Sequence, residues 1–145
     1  MKKLLAIISV MLLWHSQSLA ASCPVSSYES RKQYQYNGVR LICDYQNGRL
    51  SARFQQNGYE TVSVDYHSNG MPREYNIRSQ NMGGGLYMEN KKYNPSGMLI
   101  SHYLTSGNYG YDCSYVGNYK LKCISYENGV EFYSSTEYAS QYEGN

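Results

Sequence analysis

The sequence is short of what most globular cores are made from. Leucine, isoleucine and valine are sparse, and the 145 residues include only 3 prolines, Pro24, Pro72 and Pro95. Past the first twenty residues no apolar run approaches the roughly 20 residues that a membrane-crossing helix needs, so no helical anchor is expected there. No stretch shows a convincing helical period either, which removes the helix-based folds. Catalytic material is equally thin. Beyond the first twenty residues the chain has only His67 and His102 as histidines and Asp44, Asp65 and Asp112 as aspartates. The cysteines lack the close pairs of a zinc site, and the histidines lack a metal-ligand spacing. No glycine-rich loop opens a helix, so a phosphate cradle has no support. The expectation is a protein that is not an enzyme and that uses no cofactor or metal.

One apolar segment does stand out, at the start. Lys2 and Lys3 precede the run Leu4 to Trp14, and Ser18-Leu19-Ala20 offers small residues where a signal peptidase reads. Residues 1–20 are therefore read as a secretory signal peptide and 21–145 as one domain destined for the periplasm or for secretion. Without Lys2 and Lys3 the basic and acidic residues balance, which removes the electrostatic case for nucleic acid or an anionic membrane. Four cysteines, Cys23, Cys43, Cys113 and Cys123, follow the leader. An even set in an exported small domain reads as two disulfides. Lipidation of Cys23, which Leu19-Ala20-Ala21-Ser22-Cys23 would loosely allow, would leave one thiol unpaired.

What the chain does have is tyrosine, 18 copies, all beyond the leader, and closely spaced turn signals. Asn37-Gly38, Asn47-Gly48, Asn57-Gly58, Asn69-Gly70, Ser96-Gly97, Ser106-Gly107, Gly117-Asn118 and Asn128-Gly129 mark hairpins, because tight hairpin turns need positive φ. Between them residues alternate with period two: Val39/Leu41/Cys43/Tyr45, Leu50/Ala52/Phe54, Val62/Val64/Tyr66, Tyr75/Ile77 and Tyr111/Cys113/Tyr115. This predicts an all-β antiparallel meander of about nine short strands, closed as a small barrel or sandwich and stabilised by disulfides.

The elements Tyr45-Gln-Asn-Gly48, Tyr66-His-Ser-Asn-Gly70-Met71, Tyr93-Asn-Pro-Ser-Gly97-Met98 and Tyr126-Glu-Asn-Gly129 resemble MORN-type hairpin repeats. Their glycines are 22, 27 and 32 residues apart. A true array holds its period, so the pattern is read as the mark of a tyrosine-rich hairpin series.

Candidate contact residues cluster around Gly83-Gly84-Gly85, the one special glycine run, and the Tyr-Lys-Lys-Tyr neighbourhood that follows. They are Asn81, Met82, Gly83, Gly84, Tyr87, Lys91, Lys92, Tyr93 and Ser96. Tyrosine supplies large contact area at low entropy cost and is common in protein-binding surfaces. His67, beside Ser68-Asn69-Gly70, is expected at a solvated turn. His102 is expected in a strand, half-buried or touching a partner.

Residues 39–113 also resemble the family of membrane-bound inhibitors of c-type lysozyme. The resemblance rests on Leu41-Ile42-Cys43, the alternating Leu50-Ser51-Ala52-Arg53-Phe54, Gly83-Gly84-Gly85-Leu86-Tyr87 at the first loop, Ser96-Gly97 at the second, and Cys113 as closing cysteine. It implies a small β-barrel that pushes two loops, Asn81 to Tyr87 and Tyr93 to Gly97, into the cleft of a muramidase-like enzyme. Where that family has a loop serine and a loop lysine, this chain has Gly83 and Ser96, with Lys91 and Lys92 as nearby cations. The resemblance further implies pairing of Cys43 with Cys113 and of Cys23 with Cys123. The local alternative pairs Cys23 with Cys43 and Cys113 with Cys123. The functional expectation is an exported protein that inhibits, or confers immunity to, a cell-wall-degrading enzyme or toxin. A structural, adhesive or glycan-binding role for the tyrosines, or a MORN-like repeat protein, is the alternative.

Overall fold

The structure is a computed structural model that describes residues 22–80 and 85–143. The leader, and Asn81 to Gly84 of the candidate loop, lie outside the described residues. Ten strands run in chain order: β1 (Arg31–Tyr36), β2 (Val39–Gln46), β3 (Arg49–Asn57), β4 (Glu60–Tyr66), β5 (Pro72–Gln80), β6 (Leu86–Tyr93), β7 (Leu99–Ser106), β8 (Tyr109–Gly117), β9 (Lys120–Glu127) and β10 (Val130–Tyr138). Each pairs antiparallel with the next, in one sheet of order β1 to β10. No helix of the described residues is long and apolar enough to cross a membrane.

The all-β meander is as the turn signals predict, with ten strands rather than about nine. It is not closed. β1 and β10 stay apart as edges, so the expected barrel or sandwich does not form. The physical reason lies in the side chains. A small closed barrel must fill its interior with packed side chains, and here the more buried face carries Arg53, Glu60, Glu89 and Lys91 in its register. Burying such charges in a dry interior is costly unless each is paired.

Local chemistry sets the turns. Asn37-Gly38, Asn47-Gly48 and Asn128-Gly129 hold positive φ at both positions, the backbone of a type I′ hairpin. The turn near residue 57 is shifted by one residue, since β3 runs through Asn57 and only Gly58 has positive φ. β8 likewise runs through Gly117, and the turn is Asn118-Tyr119 at φ 53° and 56°. The two longer loops are copies of each other. In 67–71 the His67 amide donates to the Met71 carbonyl and the Gly70 amide to the His67 carbonyl; in 94–98 the Asn94 amide donates to the Met98 carbonyl and the Gly97 amide to the Asn94 carbonyl.

Hairpin alternation puts Gly48, Gly70, Gly97 and Gly117 at one end of the sheet, 22, 27 and 20 residues apart. Gly129 belongs to the other end. The irregular last interval in the sequence pattern came from comparing turns at opposite ends.

Both terminal segments dock at the Gly48–Gly117 end. Residues 22–30 are held by the bonds Ser27 amide to Gly48 carbonyl, Leu50 amide to Val25 carbonyl and Tyr45 hydroxyl to Pro24 carbonyl. Residues 139–143 are held by Ala139 amide to Tyr119 carbonyl, Leu99 amide to Ser140 carbonyl and Tyr142 amide to Gly97 carbonyl. Under these caps lie two separate cores. One joins Leu41, Cys43 and Tyr45 with Cys23 and Leu50. The other joins Tyr93, Leu99, Cys113, Leu121 and Cys123 with Tyr75, Tyr111 and Ala139.

Each core has one disulfide, Cys23–Cys43 and Cys113–Cys123. This is the local connectivity, not the one the lysozyme-inhibitor resemblance implies. Cys43 is on β2 and Cys113 on β8, six strand spacings or roughly 29 Å apart at about 4.8 Å per spacing, whereas a disulfide needs Cα atoms within about 7 Å. Cys113 and Cys123 face each other directly across β8 and β9, with Cα atoms 4.0 Å apart. The Cys23 sulfur is committed to Cys43, which leaves no thiol for lipidation.

Candidate functional site

Antiparallel register carries a side chain's facing from strand to strand, so the pairing defines rows across the sheet. One row runs Cys43, Arg53, Val64, Tyr75, Lys91, His102, Cys113, Cys123. The next, on the same face, runs Leu41, Gln55, Val62, Ile77, Glu89, Leu104, Tyr111, Ser125. Because the cysteines lie on it, we call this the disulfide face. Tyr34, Tyr66, Tyr87, Tyr93, Tyr109 and Tyr133 share it by the same alternation. Four of the five period-two runs point their residues here. In the fifth, a β-bulge between Asp44 and Tyr45 sets Leu50 opposite Tyr45, while Ala52 and Phe54 take the opposite face.

Between the two cores this face has a polar centre built on Glu89, whose side chain is 10% exposed. Its carboxylate accepts from the Tyr87 hydroxyl at 2.9 Å, from Lys91 Nζ at 2.9 Å and from His102 Nε2 at 2.8 Å. The His102 ring meets the Tyr111 ring edge-on at 5.3 Å. Burial pushes the Glu89 pKa up, but the bonds from Lys91, Tyr87 and His102 and the Lys91 charge outweigh it, holding the carboxyl below its ordinary value. Burial, the Glu89 hydrogen bond and the Glu89 charge together push the Tyr87 phenol up to about 12. Burial also raises Tyr66, Tyr75 and Tyr93, and the Arg53 charge opposes the rise at Tyr66 and Tyr75.

The sequence-derived residues divide. Tyr87, Lys91 and Tyr93 lie on the disulfide face, around Glu89. Lys92 is on the opposite face, opposite Glu74 in register and 3.9 Å from its carboxylate, because neighbours in a strand point opposite ways. Ser96 is in the 94–98 loop, where its amide and hydroxyl both donate to Asn94 Oδ1 at 3.1 and 2.7 Å. Asn81, Met82, Gly83 and Gly84 are outside the described residues. The connections before and after β6 leave from opposite ends of an eight-residue strand, roughly 25 Å apart at about 3.3 Å per residue. The described parts of the two candidate segments, Leu86-Tyr87 and Tyr93 to Gly97, therefore lie toward opposite ends of β6.

His67 is not at a freely solvated position: Nε2 lies 2.9 Å from the Tyr93 carbonyl, which ties the two copied loops together. His102 is half-buried in its strand, as expected. Sequence reasoning missed Arg53, Glu89 and Tyr75 as members of the site. The alternation of Tyr75 was legible, whereas the run Leu50/Ala52/Phe54 sent Arg53 to the wrong face because the β-bulge beside Tyr45 was not. An open groove of about 1130 Å³ also lies at the capped end, where Arg49, Leu50, Tyr66, His67 and Arg73 line it together with Cys23. Among the described residues no cluster of three or more potential metal ligands forms.

Comparison with known proteins gives no match: no family profile fits the chain, and no curated protein or solved structure is significantly similar.

Proposed function

We propose that this protein is an exported binding module that recognises another protein through the disulfide face and so inhibits, or gives immunity to, a cell-wall-degrading enzyme or toxin. The observation that carries the reading is the open tyrosine-rich face with a preorganised polar centre, across which no second layer of described residues packs. Tyr34, Tyr109 and Tyr133 on this face are 37%, 52% and 60% exposed. Such rings combine a large apolar body with a hydroxyl that stays wet, the make-up of protein-contact surfaces. Two disulfides support an oxidising compartment, and the leader-like start supports the periplasm, where cell-wall-degrading toxins act. The Glu89 centre is chemically suited to holding fixed hydrogen-bond donors and acceptors toward a partner. The test is affinity capture from periplasmic extract with the domain from residue 21 onward, alongside a Tyr109→Ala, Tyr133→Ala double variant at exposed positions of this face. The expected result is recovery of a wall hydrolase or toxin by the parent domain, its loss with the variant, and inhibition of that enzyme in a turbidity assay. Capture that is indifferent to the face, or no hydrolase or toxin at all, would sink the reading.

A further inference from the structure

We propose that Arg53, framed by Tyr66 and Tyr75, is the receptor for an aspartate or glutamate side chain of the protein partner; this rests on the binding reading above. Arg53 stands on the disulfide face, between Cys43 and Val64 in register and in the same row as Tyr75 and Lys91. Its Nε is enclosed and has no hydrogen-bond partner, the one such side-chain atom among the described residues. Among the other arginines Arg31 is paired with Asp44 and Arg73 with Asp65, and Arg40, Arg49 and Arg78, which have no such ion pair among the described residues, leave no enclosed side-chain donor without a partner. No carboxylate of the described residues pairs with Arg53. Of the acids on the same face, Glu60 is four residues along β4 from Val64, the residue opposite Arg53, and Glu89, three strands away, already takes donors from Tyr87, Lys91 and His102.

An enclosed donor without an acceptor is a free-energy cost in the unbound protein, and a guanidinium without a counter-charge is an attraction waiting for one. Tyr75 stands in the same row with Val64 between, Tyr66 lies two residues beyond Val64 on β4, and the Arg53 charge opposes the burial-driven rise of both phenols. A planar guanidinium presents parallel N–H groups that match the two oxygens of a carboxylate. When Arg53 turns its Nε–Nη edge outward, a carboxylate entering from the open face takes both bonds, with a phenol hydroxyl donating to a remaining lone pair. The shared ligand chemistry is a carboxylate, and a sugar acid offers the same group, so the probes must separate the two.

The experiment is an NMR titration of the ¹⁵N-labelled domain, following arginine Nε–Hε resonances while sodium acetate replaces sodium chloride at constant ionic strength. Acetate is expected to move the Arg53 resonance saturably and to leave Arg31 and Arg73 in place. Arg53→Gln is expected to weaken acetate binding, read on neighbouring amides, roughly tenfold or more. Tyr66→Phe, which removes only a hydroxyl, keeps the test valid if Arg53→Gln unfolds, and is expected to weaken binding severalfold. An N-acetylglutamate amide is expected to half-saturate at lower concentration than glucuronate. Absence of saturable movement, or equal movement in both variants, overturns the site; a preference for glucuronate overturns the protein source. These failures leave the capture result standing, and failed capture leaves the titration standing, so the two readings fall separately.

Discussion

Replacing Glu89 removes the acceptor at the middle of the polar centre, and the consequence follows from its three donors. Lys91 and His102 have side chains that are 30% and 18% exposed, so Lys91 recovers water readily when the carboxylate goes and His102 less so. Hydrogen bonds to a charged group contribute about 1.5–3 kcal/mol, and an enclosed donor left alone costs about 1–3 kcal/mol. With Lys91 and Tyr87 partly rescued by solvent, Glu89→Ala is expected to cost about 2–3 kcal/mol, and Glu89→Gln, which keeps one oxygen, about 1–2 kcal/mol. For a domain of this size each kcal/mol lowers Tm by about 3–5 °C. The pH dependence carries the sharper test. The folded pKa of Glu89 is lowered from the ordinary 4.5, so its ionised form stabilises the fold fully above the unfolded value and that contribution is lost as pH falls through the folded value. The gap between the parent protein and Glu89→Gln is therefore widest near neutrality and narrows below the ordinary carboxylate range. Urea unfolding followed by far-UV circular dichroism across that range measures it. A gap that is absent at neutrality, or that stays constant into strong acid, would refute the hub.

Three further outcomes are expected. Converting Cys113 and Cys123, 10 residues apart, or Cys23 and Cys43, 20 apart, to serine costs about 2.5–3.5 kcal/mol by loop-closure entropy. Only the second pair should also make residues 22–30 sensitive to limited proteolysis; equal sensitivity in both would count against the separate cores. Tyr119→Gly relieves a left-handed backbone at φ 56° on a residue 68% exposed, and denaturant melts should show a gain of about 1 kcal/mol; a loss would mean the ring contributes more than the strain. Tyr87, raised to about 12, adds stability that is present below its ordinary 10 and lost as pH rises toward the folded value. Several tyrosines titrate late, and phenolate absorbance should show the Tyr87 part of that late titration moving earlier in Glu89→Gln.

The strand content was legible because three local signals agreed: asparagine-glycine turns, period-two alternation and the lack of any helical period. The positive φ of Asn37, Asn47 and Asn128 is what those turns predict. Closure was not legible, because it depends on whether β1 can meet β10, and no local signal encodes that. The site was half legible. Tyr87, Lys91 and Tyr93, grouped from composition and proximity, do share one face, but reading Lys91 and Lys92 as one patch ignored the alternation that sends them to opposite faces. Arg53 and Glu89 escaped because each looks like an ordinary strand charge until register sets Arg53 beside Cys43 and Glu89 beside Leu104. The disulfides were misjudged under the family resemblance for the same reason: Cys43 and Cys113 belong to strands far apart in an open meander.

The two faces of the sheet hold their charges differently. A single-layer sheet leaves both faces wet, so each must balance its own charges. The opposite face carries the ion pairs Arg31–Asp44, Arg73–Asp65 and Lys92–Glu74, which solvent already screens and which contribute little, and its further cations Arg40, Arg78 and Lys122 leave no enclosed donor without a partner. The disulfide face concentrates its apolar burial at the capped end, where the Cys43 and Cys113–Cys123 cores lie. That anchoring allows the region between them to hold Glu89 saturated with donors and Arg53 without an acid. A sheet selected only for stability would place an acid beside Arg53, or an apolar residue in its place, since either change removes the cost of the enclosed Nε. Keeping the cation unpaired on the more buried face, within reach of two phenols, makes physical sense if the missing acid arrives with a partner.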